Sequence, residues 1–300
     1  MKFEYICNDC PRKCNVLRVE DKPSGFCMST SLPGVYRAAP HFGEEPCISG
    51  TKGSGTVFFS GCNLKCIFCQ NHEISRRVGG KQLDMEGLRD VFLRLRDTGV
   101  HNINLVTPTH YSGLICKALE GLELGIPVVW NSSGYESVET LKRLEGLVQI
   151  YMPDYKYADA SIANRYSVAE DYPSAAANAL EEMFRQVGPY RLDENGIMKS
   201  GLLVRHLILP GAVENSLNVL DYIAESFPKG SILFSLMSQY TPMPSCVGIT
   251  ELERCVSTEE FELVRHYMET RGIEDGFVQD LASATDEMIP AFDLTGVENH

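Results

Sequence analysis

Residues 55–71 read GTVFFSGCNLKCIFCQN, an apolar strand-like run from Thr56 to Ser60 that opens directly into a loop carrying Cys62, Cys66 and Cys69. The spacing C-x3-C-x2-C offers three thiolates to one metal centre and no fourth cysteine nearby. Structural zinc calls for four closed ligands. An iron–sulfur cluster bound by three thiolates, with one iron left open, suits this ligand count better.

Outward from this loop, strands and helices alternate. The expected strands are Thr56–Ser60, Asn102–Val106, Pro127–Trp130, Val148–Met152, Leu202–Leu209 and Ile232–Leu236. Between them, Asp84 is placed to cap a helix whose apolar residues Leu88, Val91, Phe92 and Leu95 recur at helical spacing. Further helices are expected over Ser137–Leu144, Glu214–Phe227 and Thr258–Arg271, and over 159–186 with a break near Pro173. Strands that alternate with helices form a parallel sheet, and right-handed crossovers curl it. The fold class is therefore α/β, a partial (β/α)6 TIM-like barrel over residues 55–300 with a C-terminal helical extension.

Residues 1–54 lack helical pattern and are rich in Cys, Pro and Gly, so they read as an N-terminal extension. Cys7, Cys10, Cys14 and Cys27 could close a zinc site or hold an auxiliary iron–sulfur cluster, either of which would stabilise a segment too short to bury much apolar surface. The glycine-rich GTKGSG at 50–55 is no phosphate loop. It lacks the terminal Gly-Lys-Ser/Thr, and a strand follows it instead of a helix.

Twenty-seven basic and forty acidic side chains give a net charge of −13. That balance argues against a broad nucleic-acid or anionic-membrane footprint. The N-terminus has no apolar run of signal-peptide length, and no segment approaches about 18 uninterrupted apolar residues. A cytoplasmic protein is expected, in which eleven cysteines point to metal or redox work more than to disulfides.

The C-x3-C-x2-C loop with Phe68 before its last cysteine resembles the signature of the radical S-adenosylmethionine (SAM) enzymes. The wider wording FFSGCNLKCIFCQN resembles the PflX-type branch of pyruvate formate-lyase activating-enzyme-like proteins. The resemblance implies a 4Fe–4S cluster on Cys62, Cys66 and Cys69 whose open iron chelates the amino and carboxylate groups of SAM, and a partial barrel around it. One-electron reduction then breaks the sulfonium bond to give a 5'-deoxyadenosyl radical. It also implies an external donor such as flavodoxin or ferredoxin, anaerobic chemistry, and as substrate a glycyl radical enzyme or a peptide. Modification of a small molecule is the alternative. A non-enzymatic iron–sulfur or electron-transfer protein is the rival from another class.

In parallel α/β barrels the chemistry sits at the C-terminal strand ends. The second strand ends in Thr107-Pro108-Thr109-His110, where many radical SAM enzymes carry a Gly-Gly-Glu-like segment that holds the SAM amino group. Thr107 and Thr109 offer acceptors there, and His110 is either a contact or a capping residue. The third ends in Asn131-Ser132-Ser133, placing Asn131 and Ser133 for SAM or substrate, or as a self-bonded turn. The fourth ends in Asp154-Tyr155-Lys156, similar to the Asp-x-Lys of activating enzymes, with both charges on one side by alternation. Their alternative is a structural salt bridge. Arg205 lies in an otherwise apolar fifth strand and needs a negative partner, which the resemblance identifies as the SAM carboxylate and an internal ion pair would also supply. His206 points the other way. Ser238-Gln239-Tyr240 follow the sixth strand. Cys47, Cys116, Cys246 and Cys255 read as buried free thiols.

Overall fold

A computed structural model describes residues 3–279, 281 and 290–297. The strands are β1 (Tyr5–Cys7), β2 (Val16–Arg18), β3 (Gly34–His41), β4 (Ser54–Phe59), β5 (Lys81–Gln82), β6 (Ile103–Val106), β7 (Val128–Ser132), β8 (Ile150–Pro153), β9 (Arg191–Leu192), β10 (Met198–Leu207), β11 (Leu233–Met237) and β12 (Gly276–Val278). The helices are α1 (Pro46–Ser49), α2 (His72–Ser75), α3 (Met85–Asp97), α4 (Ser112–Leu119), α5 (Val138–Leu144), α6 (Ala160–Ser167), α7 (Tyr172–Val187), α8 (Val213–Ser226) and α9 (Thr258–Thr270).

The six expected strands are β4, β6, β7, β8, β10 and β11, and they lie side by side in that order, each parallel to its neighbour. A seventh parallel strand, β12, extends one end. At the other end β3 runs antiparallel to β4, and β5 antiparallel to β3. The strands β4, β6, β7, β8 and β11 are buried along their whole length, the pattern of a sheet covered on both faces. The sheet curls, because a single side chain, Glu44, is bonded from β6, β7 and β10.

The helices follow their local signals. The Asp84 carboxylate accepts from the Gly87 amide at 2.9 Å and caps α3, whose buried face is Leu88, Val91, Phe92 and Leu95. Ser257 and Glu260 close a capping box on α9. The break in 159–186 falls earlier than Pro173. The chain leaves α6 at Val168, in left-handed backbone with φ 50°, and Pro173 sits in the first turn of α7. There its missing N–H removes no helical bond.

The N-terminal residues divide. The β1–β2 hairpin forms its own two-stranded sheet, whereas residues 34–54 are built into the barrel. β3 completes the sheet beside β4, and the chain then turns back so that α1 plugs the barrel interior. Cys47 and Ile48 pack there against Val129, Ile150, Met152, Met198, Leu203 and Leu233. Among the described residues no helix is long and apolar enough to cross a membrane.

Candidate active site

At the C-terminal ends of the strands lies a cavity of about 230 Å³. Each expected strand contributes to it. The loop after β4 supplies Cys62, Cys66, Phe68 and Cys69; Thr107 follows β6; Asn131, Ser132 and Ser133 end β7; Asp154 and Lys156 follow β8; Arg205 and Leu207 come from β10; and Met237 and Gln239 from β11.

The cysteine loop is held by its own backbone. Gly61 turns the chain at φ 79° and Lys65 at φ 54°. Gly61 N–H donates to Ile74 O at 2.8 Å, Ile67 N–H to Tyr166 O at 2.9 Å, and Arg76 donates to Cys66 O at 3.0 Å. Around Cys62 the amides of Leu64 and Lys65 point at the sulfur, at 3.3 and 3.5 Å, and the Ser75 hydroxyl donates to Cys69 at 3.5 Å. Such donors favour the thiolate. Burial opposes it and, with the neighbouring Cys69, pushes the Cys62 thiol up to about 12. A bound metal overcomes that penalty by displacing the proton. Phe68 anchors the loop from below, its ring edge-on to Tyr157, Tyr166 and Tyr240.

A charge network lines the same cavity. Lys156 donates to Asp154 at 2.7 Å, and Arg205 donates to Asp154 at 3.1 Å, to Glu44 at 3.1 Å and to Asn131 Oδ1 at 2.6 Å. Glu44 also accepts from Asn104 at 3.0 Å and Asn131 at 3.1 Å. Burial alone would raise the Asp154 carboxyl, but Lys156 and Arg205 together hold it below its ordinary value. Burial raises Glu44 and Glu45 despite Arg205 beside them. The negative partners that Arg205 requires are thus Asp154 and Glu44, both within the protein.

Other expected residues lie apart from this cavity. Thr109 is buried and donates to Glu136 at 2.6 Å, and Trp130 bonds the same carboxylate at 3.2 Å. His110 is packed behind the cysteine loop, its Nε2 2.7 Å from Ser60 O, and burial lowers its pKa to about 3. His206 faces away from the cavity, bonded to Tyr155 O at 2.7 Å and Ser216 at 2.9 Å. After β11 only Gln239 of the Ser238-Gln239-Tyr240 trio lines the space; Ser238 bonds Gln279 O and Tyr240 bonds Leu252 O. Cys47, Cys116 and Cys246 are buried free thiols, but Cys255 is exposed, because it precedes the α9 cap on a surface turn.

Sequence reasoning missed Glu44 and Glu45. They lie in Gly43-Glu44-Glu45-Pro46, and both enter the cavity because α1 carries them up inside the sheet. The usable signal is Pro46, which starts a helix directly after two carboxylates, within a segment otherwise read as a connection.

Comparison with known proteins agrees with this geometry. Residues 56–166, which run from β4 to α6 and include the cysteine loop, match the Radical SAM superfamily. The chain is 28% identical over 268 residues to the uncharacterized protein MJ0674 of Methanocaldococcus jannaschii, covering 85% of this chain and 72% of that one. The fold is similar to that of Streptococcus suis SuiB, in crystals bound to S-adenosylmethionine (TM-score 0.52, 16% identity, 74% of this chain and 49% of SuiB). The match to SuiB bound to its precursor peptide SuiA gives a TM-score of 0.51 at 16% identity, over 74% of this chain and 48% of SuiB. This chain therefore spans about half the length of SuiB.

The Radical SAM match over residues 56–166 implies a 4Fe–4S cluster and SAM, and the residues present fit the cluster's thiolate ligands. Cys62, Cys66 and Cys69 are free thiols that border one cavity. Polar side chains from the ends of five further strands line the same cavity.

Proposed function

We propose that the protein is a radical SAM enzyme that takes a hydrogen atom from a polypeptide substrate. The observation that carries this reading is the convergence of three free cysteines and the polar ends of five other strands on one cavity. A 4Fe–4S cluster and SAM bound there supply the hard chemistry, reductive cleavage of the sulfonium to methionine and a 5'-deoxyadenosyl radical. The chain's own groups position the reactants and exclude water. Cys62, Cys66 and Cys69 ligate the cluster, and Phe68 fixes their loop. Thr107 and Ser133 offer polar groups to SAM, and the Ser133 hydroxyl is buried with no partner.

Asn131, Asp154, Lys156 and Arg205 form a wall of the SAM site. Arg205, neutralised by Glu44 and Asp154, holds Asn131 and Asp154 in place. Thr109 acts from behind, by fixing Glu136 under Trp130. The reductant is an external low-potential donor of the flavodoxin or ferredoxin kind.

The polypeptide substrate is supported by a groove beside the cavity, lined by His72, Glu73, Thr241, Pro242, Met243 and Phe292 and sharing Gln70 and Pro290 with it. An extended chain can lie in such a groove with one residue entering the cavity. The resemblance to activating enzymes makes a backbone glycine of a partner protein the proposed target. When SAM is added to the anaerobically reconstituted, reduced protein, the cluster EPR spectrum should change, and Cys62→Ala should remove the signal. A spectrum unaffected by SAM would refute the reading. A glycyl radical signal in a partner would support the target, and a modified free metabolite would replace it.

A further inference from the structure

A second cavity lies behind the cysteine loop. Its walls include all four cysteines of the N-terminal segment, Cys7, Cys10, Cys14 and Cys27, and every one is a free thiol. The β1–β2 hairpin brings them together: Cys7 ends β1, Cys10 and Cys14 lie in its turn, and Cys27 follows in the loop beyond β2.

Arg18, at the end of β2, is 1% exposed. Its guanidinium donates to Ser24 O at 2.5 Å, to Ser29 O, and to the Cys27 sulfur at 2.8 Å, and lies 3.7 Å from the Cys7 sulfur. Among the described residues no carboxylate forms a salt bridge with it, and its Nε has no partner. A buried charge without an opposite charge is costly, by several kcal/mol as an order of magnitude. Neutral thiols do not offset it. Thiolates bound to a metal centre do, and they are what the guanidinium faces.

Four thiolates are a ligand set for zinc or for an iron–sulfur cluster, and a place directly against the C-x3-C-x2-C loop favours the redox-active cluster.

The two sites share one wall. Cys62 and Leu64 border the main cavity while Asn63, between them, borders the second. Arg12 donates to Asn63 O at 3.0 Å, and a Cβ added to Gly61 would lie 2.9 Å from Cys27 O. We infer that Cys7, Cys10, Cys14 and Cys27 hold an iron–sulfur cluster, with Arg18 as its buried counter-charge, directly behind the loop that carries the first site. This assignment stands whether or not SAM is cleaved.

The test uses the full chain with the first site removed, as Cys62→Ala/Cys66→Ala/Cys69→Ala, purified and reconstituted anaerobically. It should retain about four irons and four sulfides per chain and a reducible EPR signal. One zinc with no iron, or no metal in a protein whose circular dichroism is native, would overturn the assignment. On the same background Arg18→Met should weaken iron retention against a chelator roughly tenfold, while Arg18→Lys should retain most of it. Equal retention in both would overturn the role of Arg18. In the unsubstituted protein, reduced spectra should be broadened relative to the sum of the two single-site variants, and strictly additive spectra would overturn the adjacency.

Discussion

Arg205 illustrates how a charge inside a parallel sheet is made tolerable. Its guanidinium meets Asp154, Glu44 and Asn131, all largely buried, so β10, the ends of β7 and β8 and the segment before α1 are tied together at one point. Replacing Arg205 by Met would leave Glu44 buried without a counter-charge and Asp154 with Lys156 as its one charged partner. The expected loss is about 3–5 kcal/mol of unfolding free energy, measured by urea titration. Glu44→Gln keeps the hydrogen bonds to Asn104 and Asn131 and should lose less. The next residue, His206, behaves differently. Burial first of all lowers its pKa to about 4, so the folded protein keeps it neutral where the unfolded chain, at the ordinary 6.5, takes up a proton. Its contribution to stability is therefore present above pH 6.5 and lost as pH falls toward 4. In that window His206→Gln should reduce the slope of stability against pH by up to about 1.4 kcal/mol per unit. An unchanged slope would mean that His206 titrates alike in both states. The sequence made the need of Arg205 for a negative partner legible, since a lone charge in LLVRHLILP demands one. It did not reveal which one, because Glu44 is 161 residues away along the chain.

At the scale of elements, the loop after β4 depends on Gly61. With φ at 79°, and Ser29 Oγ and Cys27 O only 2.8 and 2.9 Å from where a Cβ would lie, Gly61→Ala combines backbone strain with a steric clash. It should cost more than about 1 kcal/mol in stability and lower the iron bound on anaerobic reconstitution. Native stability and full iron content together would contradict the packing of the loop against Cys27. The helix α3, by contrast, was legible from sequence down to its cap, because Asp84 and the Leu88, Val91, Phe92, Leu95 stripe act through local bonds and one buried face. Its cap should contribute about 1 kcal/mol, tested by thermal unfolding of Asp84→Ala. The short helix α1 was not legible. Four residues carry too little periodicity, and the burial of Cys47 and Ile48 is set by the barrel around them.

In the whole molecule, the order of the strands came through because each βα unit is continuous in the sequence and each strand is an apolar run of its own. What the sequence concealed was the use made of residues 34–54. These read as part of a metal-bound extension, yet β3 borders the sheet and α1 fills its interior, both through contacts distant along the chain. The segment before the plug and the cysteine loop line one cavity, so the same fold that buries Ile48 brings Glu44 to the cavity of Cys62, Cys66 and Cys69. Ile48→Ala should accordingly cost about 2–5 kcal/mol, seen in a lower urea midpoint. Radical chemistry on SAM in this cavity, as proposed, is tested most directly by chromatography of an anaerobic reaction of the reconstituted protein with SAM and a strong reductant. 5'-Deoxyadenosine should accumulate, and Cys66→Ala, with its fold intact, should form none. No 5'-deoxyadenosine from a folded protein carrying about four irons on the Cys62, Cys66 and Cys69 loop would contradict it.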